Sequence, residues 1–326
     1  MRRALTLLAA ALLADPDAAL PSQPADEAAA ELAGWQAKEA RLFGIGWRLV
    51  TGNAPFCADA APALGLLLHD TGSYAEPERV RAALGLRGPL GVQAVAAGSP
   101  AEGAGLKVND TLVSANGTAV STIPLDAERP WGRLARIHAV IDESLRQDGR
   151  AALRWRSSSG EETMLDVHGT PACPSRFELL SGDDQVVADG TRVLLGQEFA
   201  GFTYPDDLLA AAIAHELAHN LLGHRARLDR IGRSQRNVRA TEREADRMMP
   251  WLLANAGYPP QAAADFMRRW GPSSTGGQLG GLLRARSHDG WDERIELIEG
   301  ELPVIALQLA AKGRADWRTR FPTAAP

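Results

Sequence analysis

Five residues constrain this chain more than any others: His215-Glu216-Leu217-Ala218-His219, an H-E-x-x-H set inside an alanine-rich apolar run. On a helix, residues four apart lie on one face, one turn apart. His215 and His219 can therefore present two imidazole nitrogens to one cation, with Glu216 projecting beside them. That is zinc-ligand spacing with a general base attached. The flanking residues predict a helix. Asp206 and Asp207, just after Pro205, can cap and charge its first turn. Residues 208–214 are helix formers, and Gly223 stands where a C-terminal stop is expected. The run is apolar nearly all round, which predicts a buried helix. Histidines there need partners, because an unpaired buried polar group costs about 1–3 kcal/mol. A metal would supply them; the alternative is a polar turn on an ordinary amphipathic helix.

Zinc sites of this kind divide by their third ligand. In the metzincin pattern a Gly falls three residues after the second histidine and a His six after it. Leu222 and Arg225 hold those positions here, with Gly223 and His224 each displaced by one. A one-residue slip turns a helical side chain by about 100°, so His224 reads as a solvent-facing histidine at the helix end. The segment 241–246 offers a carboxylate instead. Glu242 and Asp246 are four apart and share a helix face, while Glu244 points elsewhere. Glu242 suits a metal ligand, and Asp246 suits an acceptor for the outer N–H of a ligating histidine. The competing reading is a charged, solvated face, since acids and bases alternate from Arg239 to Arg247.

With these residues in view, H-E-L-A-H-N-L-L-G-H followed by E-R-E-A-D resembles the HtpX-like and CAAX-prenyl-protease family of gluzincins. The resemblance covers roughly residues 173 to 300. It implies one zinc ion per chain held by His215, His219 and Glu242, with Glu216 as catalytic glutamate and Asp246 behind the ligands. The family also has a downstream His-Pro motif with an arginine six residues after the histidine. His288 and Arg294 stand at that spacing, with Asp289 in place of the proline. By resemblance His288 donates to the oxyanion and Arg294 orients Glu242 or other site carboxylates; the alternative for His288 is an ordinary surface histidine.

Three protein ligands leave a fourth zinc position for water, which marks a catalytic rather than a structural site. Zinc lowers the pKa of such a water from about 15.7 to about 7. Glu216 would take its proton during attack on a peptide carbonyl and return it to the leaving amine. Upstream, residues 185–195 read as a β-hairpin around Asp189-Gly190. Its edge strand is suited to pair with an extended peptide; the competing reading is a hairpin that only covers the core.

The front half carries different signals. Residues 1–14 have two arginines and then a short apolar stretch, the pattern of a secretory signal peptide and too short for a membrane span. No other segment approaches 20 apolar residues. The two cysteines, Cys57 and Cys173, form an even pair, which in an exported chain favours a disulfide. Between them, Gly98-Ser99-Pro100-Ala101, Ala104-Gly105-Leu106, Asn109-Asp110 and Asn116-Gly117 resemble a PDZ domain of the bacterial protease-associated kind. Asn109 replaces a glycine there, and Asn also visits left-handed backbone. Residues 136–145 read as the PDZ helix, with 151–155 and 163–167 as closing strands. Residues 28–52 read as a helix packing on the protease.

Net charge of −5 leaves no nucleic-acid footprint. The expected fold class is therefore α+β: a mainly helical gluzincin domain with a small β-hairpin or sheet, plus an inserted β-rich PDZ-like domain. The expected organisation is a signal peptide (1–20), an N-terminal helical segment (21–84), the PDZ-like domain (85–170), the metallopeptidase domain (171–310) and a frayed tail (311–326). The expected partners are a protein or peptide substrate and a peptide ligand of the PDZ-like groove, in the periplasm or outside the cell. The rival function is a catalytically silent peptide-binding quality-control or chaperone protein with a structural zinc.

Overall fold

In the computed structural model, residues 25–126, 128–182, 184–274 and 290–321 are described. The expected signal peptide, residues 1–20, and His288 lie outside the described residues. Helix α1 (Ala25–Asn53) buries Leu42, Ile45 and Leu49, a 3–4 spacing that lines one face. Gly46 lets a neighbouring strand approach: a Cβ there would stand 2.3 Å from the Phe177 ring. The helix ends on Asn53, which is fully buried. Its amide donates to the carbonyls of Leu49 and Leu252 and accepts from Asn255 and the Trp317 indole. One side chain thus ties α1 to two distant parts of the chain.

The chain then forms β1 (Ala61–Ala63), β2 (Leu66–Asp70), α2 (Pro77–Ala83), β3 (Leu90–Val95), α3 (Pro100–Gly103), β4 (Thr111–Ala115), β5 (Thr118–Ala119), α4 (Gly132–Asp148), β6 (Arg150–Arg156), β7 (Glu162–His168) and β8 (Thr170–Ala172). One antiparallel sheet runs β2-β3-β4-β6-β7, with β5 on β4. Val92, Leu112, Leu153 and Trp155 pack under Ile137, Ile141 and Leu145 of α4. Asn109 sits at φ +67°, the left-handed backbone expected of it. The N-terminal segment departs from its expected helical character. It is helical only in part, and Leu66–Asp70 heads the sheet of the following domain. That strand, three leucines followed by His69 and Asp70, shows no alternation, and its pairing is a long-range contact.

At the base of this unit, β1 pairs with β8 and Cys57 is bonded to Cys173 with Cα atoms 5.6 Å apart. The ladder and the disulfide close both ends of the insertion onto the rest of the chain. Closing a loop of 116 residues is worth at most about 5 kcal/mol by chain entropy. A Cys57→Ser/Cys173→Ser variant should lose about 2–5 kcal/mol in denaturant unfolding. A midpoint unchanged by the substitution would show that the β1–β8 ladder suffices alone.

The second core is built on β9 (Arg176–Leu180), β10 (Val186–Ala188), β11 (Arg192–Gly196) and helices α5 (Asp206–Leu221), α6 (His224–Ile231), α7 (Gln235–Asn255), α8 (Ala262–Ser274), α9 (Trp291–Glu299) and α10 (Leu302–Lys312). β11 pairs antiparallel with β10, forming the expected hairpin, and parallel with β9. Helix α5 lies at the centre against α1, α7, α8 and the hairpin, and Leu209 to Ala214 are buried on every side. Asp206 and Asp207 charge its first turn without capping it: Pro205 is the N-cap, and Asp206 pairs with Arg41 at 2.7 Å. The expected frayed tail, 311–326, is corrected where it is described: Trp317 and Phe321 are buried, because they complete the core around Trp251 and Phe56. Among the described residues no helix is long and apolar enough to cross a membrane.

Candidate metal centre

Helices α5 and α7 cross so that three expected ligands converge. His215 Nε2 and His219 Nε2 are 3.2 Å apart. Glu242 Oε2 is 3.4 Å from the first and Glu242 Oε1 3.5 Å from the second. A tetrahedral cation with bonds of about 2.0–2.1 Å separates its ligand atoms by about 3.3–3.4 Å. The two nitrogens, and the Glu242 oxygen nearer to each, lie close to those separations, and among the described residues these three are the one such group that could hold a metal ion.

The charges around them favour a cation. Burial alone would lower His215, but the Asp246 and Glu242 carboxylates outweigh it and push it up to about 10. His219 goes the other way: burial, then the neighbouring His215, lower it to about 3. Burial also pushes Glu216 up to about 7, helped by Glu242, while His215 and the Ala188 backbone N–H work against it. Glu216 keeps partial solvent access. It lies between the histidines and the edge strand β10, in place to exchange a proton at the site.

Each histidine is held from behind. Asp246 Oδ1 lies 3.1 Å from His215 Nδ1. Asp246 is itself gripped by Arg294, whose Nε and Nη2 stand 2.7 and 2.6 Å from its two oxygens. Burial would raise Asp246, but Arg294 and His215 hold it below the usual carboxylate range. The structure thus brings together His215, His219, Glu216, Glu242, Asp246 and Arg294. It places Arg294 on Asp246.

His224 corrects the sequence reading. It is 1% exposed rather than solvent-facing. Helix α5 stops at Leu221, Gly223 turns the backbone at φ +61°, and His224 opens α6. The 100°-per-residue extrapolation fails at that turn. His224 Nδ1 lies 3.0 Å from His219 Nδ1, and its Nε2 lies 3.1 Å from Glu244 Oε2. Burial lowers the His224 pKa, against the pull of Glu244.

Asn220, which sequence reasoning passed over, binds the hairpin to helix α5. Its Oδ1 accepts from the Gly190 N–H at 2.8 Å, and its Nδ2 donates to Ser175 Oγ and the Arg192 carbonyl, each at 3.0 Å. Adjacency to His219 was the one signal in the sequence.

A cavity of about 2060 Å³ opens between the free edge of β2, the α4 face carrying His138 and Ile141, helix α1 and strand β9. It reaches Thr191 and Arg192 in the hairpin turn. Small-molecule sites span about 300–1,000 Å³, so this space is of polypeptide scale. Asp142 of α4 and Arg176 of β9 are hydrogen-bonded at its margin.

Residues 91–129 match the PDZ domain family. No curated protein and no solved structure matches the chain. The mixed α+β architecture with a PDZ domain is thereby shown, and a PDZ domain points to binding of peptides.

Proposed function

We propose that this chain is an exported zinc metalloendopeptidase of the gluzincin type, whose PDZ domain captures or gates polypeptide substrates. The observation that carries this reading is the convergence of His215, His219 and Glu242 at tetrahedral separations with Glu216 beside them. A zinc ion held by these three residues would supply Lewis acidity and bring a water's pKa to about 7. Glu216, beside the three donors and partly open to solvent, is placed to take a proton from such a water and deliver it to a leaving amine. Asp246, fixed by Arg294, holds His215 with Nε2 toward the site. The edge strand β10 runs past Glu216 with its Ala188 N–H turned to that carboxylate. Its open side suits an extended substrate backbone. The disulfide is consistent with an oxidising compartment.

A second reading, a peptide-binding quality-control protein with a silent zinc, draws on the PDZ match alone. The two separate on one preparation. The peptidase reading expects one zinc per chain, cleavage of an unfolded protein such as casein, loss of cleavage on chelation and its return with added zinc. Zinc at full occupancy with casein bound but uncut would favour the silent reading. Absence of stoichiometric zinc would overturn both.

A further inference from the structure

Resting on the zinc-peptidase reading, we propose that His224 and Glu244 are positioning residues that fix the His219 ring through a relay from α7. The evidence is the hydrogen-bond path. His219 Nδ1 meets His224 Nδ1 at 3.0 Å, with the rings edge to face and their centroids 4.8 Å apart. His224 Nε2 continues to Glu244 Oε2 at 3.1 Å, and Arg227 Nη1 donates to the same oxygen at 2.9 Å.

Proton counting leaves one arrangement of this path that suits a ligand. A histidine that binds through Nε2 must carry its proton on Nδ1. His219 Nδ1–H then donates to the bare Nδ1 of His224. His224 in turn carries its proton on Nε2 and donates it to the Glu244 carboxylate, which Arg227 keeps anionic. With a neutral His224, reversing either link sets two donors or two lone pairs against each other in a buried space. The path therefore selects the tautomer in which His219 Nε2 is free.

The design uses one helix for both ligands. Helix α7 sends Asp246 directly to His215 and Glu244, by way of His224, to His219, while Glu242 between them joins the triad. The left-handed turn at Gly223 makes this possible by folding His224 back against the helix that carries His219. Outer partners of metal-bound histidines typically change metal affinity 10–100-fold when removed.

The test is zinc affinity measured by competition with a chromogenic chelator, together with the Co²⁺ d–d spectrum. It compares the full chain with Glu244→Gln and His224→Gln. Glu244 is partly exposed, so Glu244→Gln should fold even if His224→Gln does not; metal-free melting curves check this. The relay predicts a 10–100-fold weaker zinc affinity for Glu244→Gln and an altered Co²⁺ spectrum, with the metal-free melting point unchanged. Unchanged zinc affinity and Co²⁺ spectrum in a folded Glu244→Gln variant overturn the relay alone. A parent chain that takes up no zinc overturns the peptidase reading, and the relay with it.

Discussion

Glu216→Gln is expected to reduce peptide hydrolysis by about 10²–10⁴-fold, the usual range for loss of a general acid–base group, with zinc content unchanged. The substitution is nearly isosteric. Its amide oxygen can still accept from the Ala188 N–H, so the hairpin should keep its place. Glu216 is not one of the three convergent donors, so metal binding survives. What disappears is a group that can hold a proton. The pH profile supplies an independent check. Burial raises Glu216 to about 7 in the metal-free protein, and a bound cation would lower it. The base form is lost as pH falls through that value, so kcat/KM should decline below an acid limb at or under pH 7. Initial rates on a quenched peptide, from pH 4 to 9, would measure both effects. A Gln variant that cuts within a few-fold of the parent would remove Glu216 from the mechanism.

What could be read in advance divides along physical lines. Helix α5 was legible because its signals are local: an apolar run, acids after Pro205 and glycine at the stop. The pairing of Glu242 with Asp246 followed from helical periodicity within α7. His224 was not legible, because periodicity stops carrying information where the backbone turns left-handed at Gly223. Glu244 was correctly placed off the Glu242 face, yet its partner could be found only once that turn was known. Leu66–Asp70 escaped for another reason. Three leucines followed by His69 and Asp70 carry no alternation that identifies a strand or its partner, and β3 lies some 20 residues on, beyond α2. The burial of Trp317 likewise depends on Asn53 and Phe56, more than 250 residues earlier. Local chemistry announced the donors of the site; the contacts that hold them in place are mostly tertiary.

Asp246→Ala is expected to destabilise the fold by about 3–5 kcal/mol, the effect of leaving one member of a buried ion pair without its partner. Asp246 is 1% exposed and Arg294 7%, and the contact between them is bidentate. Removing the carboxylate takes the bidentate partner from the buried Arg294 guanidinium, which also lies 5.2 Å from the centre of the Trp291 ring. His215 also loses the larger of the two carboxylate contacts that raise it to about 10. Asp246→Asn separates charge from shape. Its amide oxygen still accepts from Arg294 or His215, so its loss should be smaller than that of Ala. Arg294→Met leaves Asp246 ionised without its strongest partner and should also destabilise. The Asp246→Ala/Arg294→Met double variant should recover part of the summed loss, because neither buried charge is then left alone. Denaturant unfolding of the metal-free proteins gives all four values. Full additivity of the two single losses would show that the pair is not coupled. Zinc competition on the same proteins should show Asp246→Asn binding 10–100-fold more weakly, since the residue that braces the fold is the one that aims His215.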